Sequence, residues 1–371
     1  MSQSPKQLLA IGTYTHHNNE SRREGIFVYE FDPATGILEH RTTTQTAPNP
    51  SFLAISPDSR FLYAVNEVGE YEGQHGGTIS AYALDAATGE LTFLNVQSTR
   101  GADPCYISLD STGTWAFVAN YSGGSIATFP IGNDGMVGEA ACFIQHEEHS
   151  SVDRGRQEAP HAHSIILDPT GRYALVADLG KDQILVYQFD STTGQLTPHT
   201  SPAIQSAPGA GPRHTGFHPN GRYFYVINEL NSTVSVYEYD AESGAFADVQ
   251  TISAIPEGAP RTSMAADLHI TADGRFLYTT NRWHNSDSIA AFTIDTTSGQ
   301  LSMIEIVKSG GLTPRNFAFD LTENYLFAEN QDSSTVVTFQ RDMETGRLTP
   351  TGQVTNVPMP VCIKVIPKAG S

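Results

Sequence analysis

The chain has 371 residues, with Gly 32, Pro 21, many Tyr, Phe, Val and Thr, and only 16% charged residues, a composition that favours short strands and tight turns over a helical protein. A net charge of -19 repels phosphate-coated partners, so neither nucleic acid nor an anionic membrane is expected to bind. The three cysteines, Cys105, Cys142 and Cys362, are scattered without metal-ligand spacing and odd in number, which predicts small buried residues rather than a disulfide framework.

The first segment, "MSQSPKQLLAIGTYTHH", has an apolar run of only four residues, too short for a secretory core or a membrane span; a soluble, cytoplasmic protein is expected. "LLAIGTYT" at 8–15 reads as a strand, "THHNNES" at 15–21 as a loop, and "GIFVYEFD" at 25–32 as the next strand. From there one unit recurs. It has a first apolar strand (52–56, 105–109, 163–167, 214–218, 267–271, 316–320), a polar turn, and a second strand (60–67, 114–121, 172–179, 222–229, 275–282, 324–331). A third strand follows, and a glycine turn leads to a fourth.

The glycine turn occurs seven times, as "TGIL", "TGEL", "DGMV", "TGQL", "SGAF", "SGQL" and "TGRL", at spacings of about 46 to 59 residues, near the period of four-stranded propeller blades. Two β-sandwiches in tandem explain the short strands but not the sevenfold spacing. "LLAIGTYT" is a second strand lacking a first, and "VCIKVIP" at 361–367 a first strand lacking a second. Pairing them closes a ring and leaves no sheet edge exposed. The expected fold is all-β: a seven-bladed β-propeller of four-stranded antiparallel blades, one domain over residues 1–371.

In such a blade the start of the first strand and the end of the second are neighbours on one face. Arg213 and Glu229, sixteen residues apart, are therefore expected to meet there. The same placement gathers Ser51 and Glu67; Asp103 and Tyr121; His161, His163 and Leu179; His214; Asp267, His269 and Arg282; and Arg315, Asn316 and Gln331. Each has a plainer reading. Arg213 and Glu229 suit a structural ion pair, and His269 suits a hydrogen-bonded core histidine. His161 and His163 lack an evident carboxylate companion for a metal. The recurring Asn66, Asn120, Asp178, Asn228 and Asn281 read as turn residues bonding their own backbone.

With these residues in view, the chain resembles the seven-bladed lactonase family, which includes propeller-type 6-phosphogluconolactonases and the fungal 3-carboxy-cis,cis-muconate lactonizing enzyme. The likeness is strongest in "GAGPRHTGFHPNGRYFYVINELNSTVSVYEYD" at 209–240 and "AADLHITADGRFLYTTNR" at 265–282, and extends to "IGTYT" at 11–15 and "HAHSIILDPTGRYALVADLGKDQILVY" at 161–187. It implies His163, Arg213, Glu229 and Arg282 as catalytic residues, with Arg315 and His214 at family-like positions. His161 and His269 join those two as expected substrate-binding residues. The stretch "CFIQHEEHSSVDRGRQEAPHAH" before His163 departs from the family.

The resemblance also implies a small anionic lactone as substrate, most specifically 6-phosphogluconolactone of the pentose phosphate pathway; because sugar δ-lactones already hydrolyse in water, positioning and charge suffice and no metal or other cofactor is expected. Hydrolysis needs a base for the attacking water and cations for the developing oxyanion. Glu229 or His163 is expected as base, Arg213 or Arg282 at the carbonyl oxygen, and the remaining arginine with Arg315 on the anionic end. A cycloisomerase forming a lactone and a non-catalytic binding propeller are the alternatives.

Overall fold

The repeated glycine turn is built by an aspartate. Asp32, Asp85, Asp190, Asp240, Asp295 and Asp342 each accept the backbone N–H two residues on at 2.8–2.9 Å. Their carbonyls accept from the glycine four residues on, whose φ of 67–82° is open to glycine without a Cβ penalty. Each turn joins the third and fourth strands of a blade. Tyrosines of the preceding blade's second strand then bond the turn: Tyr63 to the Gly135 carbonyl, Tyr225 to Gly299 and Tyr278 to Gly346. The repeat seen in the sequence is thus also an inter-blade fastening.

The computed structural model describes residues 6–366 apart from 18–19, 201–202, 257, 259–262 and 284–285. Seven antiparallel blades form a ring. Blade 1 runs outward as Pro360–Ile366, Gln7–Thr13, Glu24–Asp32 and Ile37–Gln45, so the last strand pairs with the first. Blades 2 and 3 begin with Pro50–Ile55 and Pro104–Leu109. Blade 4 comprises Ala162–Leu167, Tyr173–Asp178 and Gln183–Phe189, its outer edge split into Leu196–Pro198 and Ile204–Gln205. Blades 5, 6 and 7 begin with Pro212–Phe217, Met264–Ile270 and Pro314–Phe319. These first strands contact one another in succession around the axis. Among the described residues no helix is long and apolar enough to cross a membrane.

Second strands lie between neighbouring blades and are covered on both faces, so Trp115–Asn120, Tyr173–Asp178 and Tyr223–Asn228 are buried throughout. That is why they read as continuous apolar runs instead of alternating ones. Clusters such as Tyr225, Ile227, Val236, Leu277 and Phe292 fill the space between blades. A fully buried side chain of this kind contributes about 1.5–3 kcal/mol.

The residues read as self-bonded turns have a different role. Asn66, Asn120, Asp178, Asn228 and Asn281 are buried at the ends of second strands. Asn66 accepts from Thr78 and Ser80, Asn228 donates to Thr233 and Ser235, and Asn281 donates to the Ala254 carbonyl. They tie second strands to third strands and to more distant loops. Burial decides this, because an amide out of reach of water must find partners across the sheet.

Candidate active site

One irregularity recurs in every first strand, near its start: the pairing register with the second strand slips. The slip spans Pro50/Phe52, Pro104/Tyr106, Ala162/Ser164, Pro212/His214, Ala265/Leu268 and Pro314/Asn316, and in blade 1 it falls opposite Pro360 and Cys362. A bulged residue is released from the ladder and its side chain re-aimed. The residues so released are Ser51, Cys105, His163, Arg213, Ala266 with Asp267, Arg315 and Val361. Arg213, expected just before its strand, therefore lies within it, at the bulge. The second strands return beside these bulges: backbone N–H groups of Glu67, Tyr121, Leu179, Glu229 and Gln331 donate to carbonyls of Asn49, Asp103, His161, Gly211 and Thr313 at 2.7–2.9 Å.

Glu229 is the centre of the assembly and has no solvent exposure. Its Oε2 is 2.8 Å from Arg213 Nε, 2.8 Å from Arg282 Nη2 and 3.9 Å from His163 Nε2. Its Oε1 accepts from Arg156 Nη2 at 2.5 Å. The two 2.8 Å approaches to Oε2 lie off the hydrogen-bond axis, leaving that oxygen, Arg213 Nε, and Arg282 Nε and Nη1 without aligned partners. Burial opposes ionisation of Glu229, but Arg282, Arg156 and Arg213 outweigh it and hold the carboxyl at about 2. Burial, against the pull of Glu229, and crowding by the other arginines bring Arg282 down to about 9, still cationic at neutral pH.

His163 is buried, and burial together with Arg213, His214 and Arg315 pushes its pKa well below 6.5. It is a neutral imidazole at pH 7. Cys105 Sγ lies 3.6 Å from His163 Nδ1, with its thiol pushed up by burial and hence protonated and unreactive. His161 stacks on Tyr121 at 4.5 Å and 14°, His163 meets the same ring edge-on at 5.3 Å, and His161 Nε2 lies 3.3 Å from Glu158. Among the described residues no group of three His, Cys, Asp or Glu converges in a way that would hold a metal ion.

Arg315 stands across the mouth. Its guanidinium covers the Tyr14 ring at 5.3 Å and lies 3.9 Å from Glu67, which accepts from the Tyr14 hydroxyl at 2.8 Å. Its side chain is 17% exposed, against 2% for Arg213 and Arg282.

Below this cluster, Asp267 receives His214 Nδ1 at 2.7 Å, His269 Nε2 at 2.9 Å and the Asn316 amide. The His214 ring is packed by Phe52, Tyr106 and His163. Burial and Arg213 lower its pKa to about 3. His269 lies against Phe317 and is tied to Asp267, not to Glu229. The structure thus brings His163, Arg213, Glu229 and Arg282 into one cluster, with His161 beside it, Arg315 opposite, and His214 and His269 in the layer beneath.

Two contributors escaped the sequence reading. Arg156, from the stretch between Cys142–Gln145 and Ala162–Leu167, also donates to the Tyr121 hydroxyl at 3.1 Å. Tyr14 supports Arg315 from blade 1. The only signal for Arg156 was a basic "DRGRQ" just before "HAH". A groove of about 820 Å³ between that stretch and Gly209, Leu230, Ile255 and Pro256 is lined, among the described residues, by none of the cluster's side chains.

An ionised glutamate ringed by arginines thus stands at the propeller mouth. Residues 8–365 match the family model "Lactonase, 7-bladed beta-propeller". The chain belongs to this lactonase family. It is 38% identical over 356 residues to a 6-phosphogluconolactonase of Bacillus subtilis, covering 96% of this chain and 97% of that one. It is 34% identical over 340 residues to a 6-phosphogluconolactonase of Formosa agariphila, covering 91% and 93%. The structure of the periplasmic gluconolactonase of Pseudomonas aeruginosa superposes with a TM-score of 0.91 at 33% identity, covering 98% of this chain and 100% of that one. This lactonase therefore has relatives named for a phosphorylated and for a phosphate-free lactone.

Proposed function

We propose that this protein hydrolyses a sugar δ-lactone, with 6-phosphogluconolactone as substrate and 6-phosphogluconate as product. The observation that carries the reading is Glu229, fully buried and ionised between three arginines, two of which keep donor atoms unpartnered, beside a neutral His163. Buried donors without partners are costly, and they suit a site that receives an oxyanion.

In this reading water attacks the lactone carbonyl carbon, and His163 Nε2 takes the proton. Three cations hold Glu229 in its ionised form, which suits it to pairing with an imidazolium rather than to taking the proton. It serves to stabilise the imidazolium formed 3.9 Å away. Arg282 and Arg213 face the carbonyl oxygen as it gains charge. The ring C–O bond then breaks, and the imidazolium returns its proton to the leaving alkoxide. Arg315, more open to solvent than Arg213 and Arg282, takes the anionic end of the substrate. A strained ester held in place needs only positioning and charge.

The test is turnover of 6-phosphogluconolactone and phosphate-free gluconolactone side by side, with and without chelator. Faster hydrolysis of the phosphorylated lactone, unaffected by chelator, supports the proposal. Preference for the phosphate-free lactone overturns the substrate, and hydrolysis of neither overturns the reaction. A cytoplasmic location belongs to the same proposal, supported by three free, buried cysteines; recovery from the periplasm on cell fractionation would overturn it.

A further inference from the structure

We infer that the stretch from His146 to His161 is a strap clamped onto blade 4 by two buried carboxylates, Asp178 and Asp182, and that it delivers Arg156 as a positioning residue for Glu229. The kinetic part of this inference rests on the lactonase reading above.

The clamp is geometric. Asp178 holds both ends of the strap: Oδ2 lies 2.6 Å from His146 Nδ1, and Oδ1 accepts the His161 backbone N–H at 2.8 Å. Tyr187 fixes the other side of the His146 ring at 3.1 Å. Asp182, 1% exposed, holds the middle, accepting Ser150 Oγ at 2.6 Å and Gln157 Nε2 at 2.8 Å. The same carboxylate accepts the backbone N–H groups of Gly209 and Gly211 at 2.7 and 2.8 Å, two residues short of Arg213. Gln157 in turn bonds the Leu179 carbonyl and the Asp153 N–H, which leaves Arg156 little freedom.

Blade 4 is exceptional at both clamp positions. Where it has Asp178, the other second strands that end in this way carry asparagine: Asn66, Asn120, Asn228 and Asn330. Asp182 has φ 55°, and Gly124, Ser232 and Ser334, which occupy the same turn in blades 3, 5 and 7, have φ 52–55°. A carboxylate replaces a neutral or small residue only where the long strap must be held. Arg156 is also the one arginine on Glu229 borne by a connection rather than a first or second strand, and its side chain is 27% exposed. By bonding Glu229 Oε1 and the Tyr121 hydroxyl, it sets the rotamer of the carboxylate from the open side.

The experiment compares R156Q, R156K, D182N and the D182N/R156Q double variant by lactone turnover, thermal melting and trypsin digestion. R156Q is expected to lower kcat about 10- to 100-fold with KM changed less than about threefold, the pattern of a lost transition-state interaction, and R156K to restore part of the loss. D182N is expected to lower kcat in the same way and to speed trypsin cleavage at Arg154 or Arg156. The double variant should be no worse than R156Q, because coupled residues are not additive. Unchanged kcat in R156Q, additive losses, or an unchanged trypsin pattern in D182N overturns the inference. If D182N does not fold, Q157A replaces it with the same expectations. If the wild-type protein hydrolyses no lactone, the functional reading fails, and the strap is judged on trypsin and melting alone: non-additive melting shifts support it, additive shifts overturn it.

Discussion

Glu229 and Asp267 are both carboxylates in the interior of the ring, both ionised despite burial, and their surroundings are opposite in kind. Asp267 is held by two imidazoles and an amide, with no oxygen left unpartnered. Glu229 faces three permanent cations, with one of its own oxygens and several of their donors unaligned. Satisfied hydrogen bonds make a rigid floor. Excess cationic charge with unused donors makes a receptor for an anion. What separates the two regions is the state of their partners, since burial and residue type are alike.

The sharpest way to break the comparison is Glu229→Gln. Three crowded arginines then lose their counter-charge, and the variant should lose at least about 10³-fold in kcat/KM and, by leaving buried charge uncompensated, about 3–5 kcal/mol in denaturant-unfolding stability. His163→Asn, which keeps the ring's bulk poorly but its polarity well, should cost about 10²- to 10⁴-fold in kcat if His163 is the base, with melting temperature little changed. If activity survives, Glu229 is the base instead.

Asp267→Asn tests the other side. It should cost about 1–3 kcal/mol in stability, through hydrogen bonds to a charged group, yet leave kcat/KM within about tenfold of wild type. A larger loss of activity than that would put the floor into the chemistry. Acid titration probes both layers together. His163 and His214 are held below 6.5 in the folded protein, so the unfolded chain binds more protons as pH falls. Stability is fully present above pH ~6.5 and is lost progressively below it; melting temperature against pH should show the slope, and His214→Gln should flatten it. The smallest effect is expected from Arg315→Gln: KM for the phosphorylated lactone rises about tenfold while the phosphate-free lactone is unaffected, as befits a cation loosely held at 3.9 Å from Glu67.

Much of this was legible in the chain. Seven glycine turns gave the blade count, because each needs a positive φ that glycine supplies. The unmatched strands at the two ends gave the pairing of Pro360–Ile366 with Gln7–Thr13. Arg213, Glu229, Arg282 and His163 were marked by their places at strand ends and by family resemblance. Arg156 was not, since a connection has no periodicity from which to infer where a side chain points. His269 was also placed among the residues of the common face, yet beside the bulge at Ala266 and Asp267 it bonds Asp267 as a floor partner. The buried asparagines looked like turn residues because a sequence shows the neighbour two residues on and hides the strand alongside. Glu329 stands apart: both its oxygens are unpartnered, and burial and Asp267 push its carboxyl up.

By itself the sequence determined the strands, the turns and their number, for these follow from local backbone preference and from which side chains must leave water. Only the closed ring decided which charges meet. A repeated slip in strand pairing, one loop pinned by two carboxylates, and the resulting excess of cations over a single buried anion arise from contacts between residues tens to hundreds of positions apart, and no local pattern encodes them.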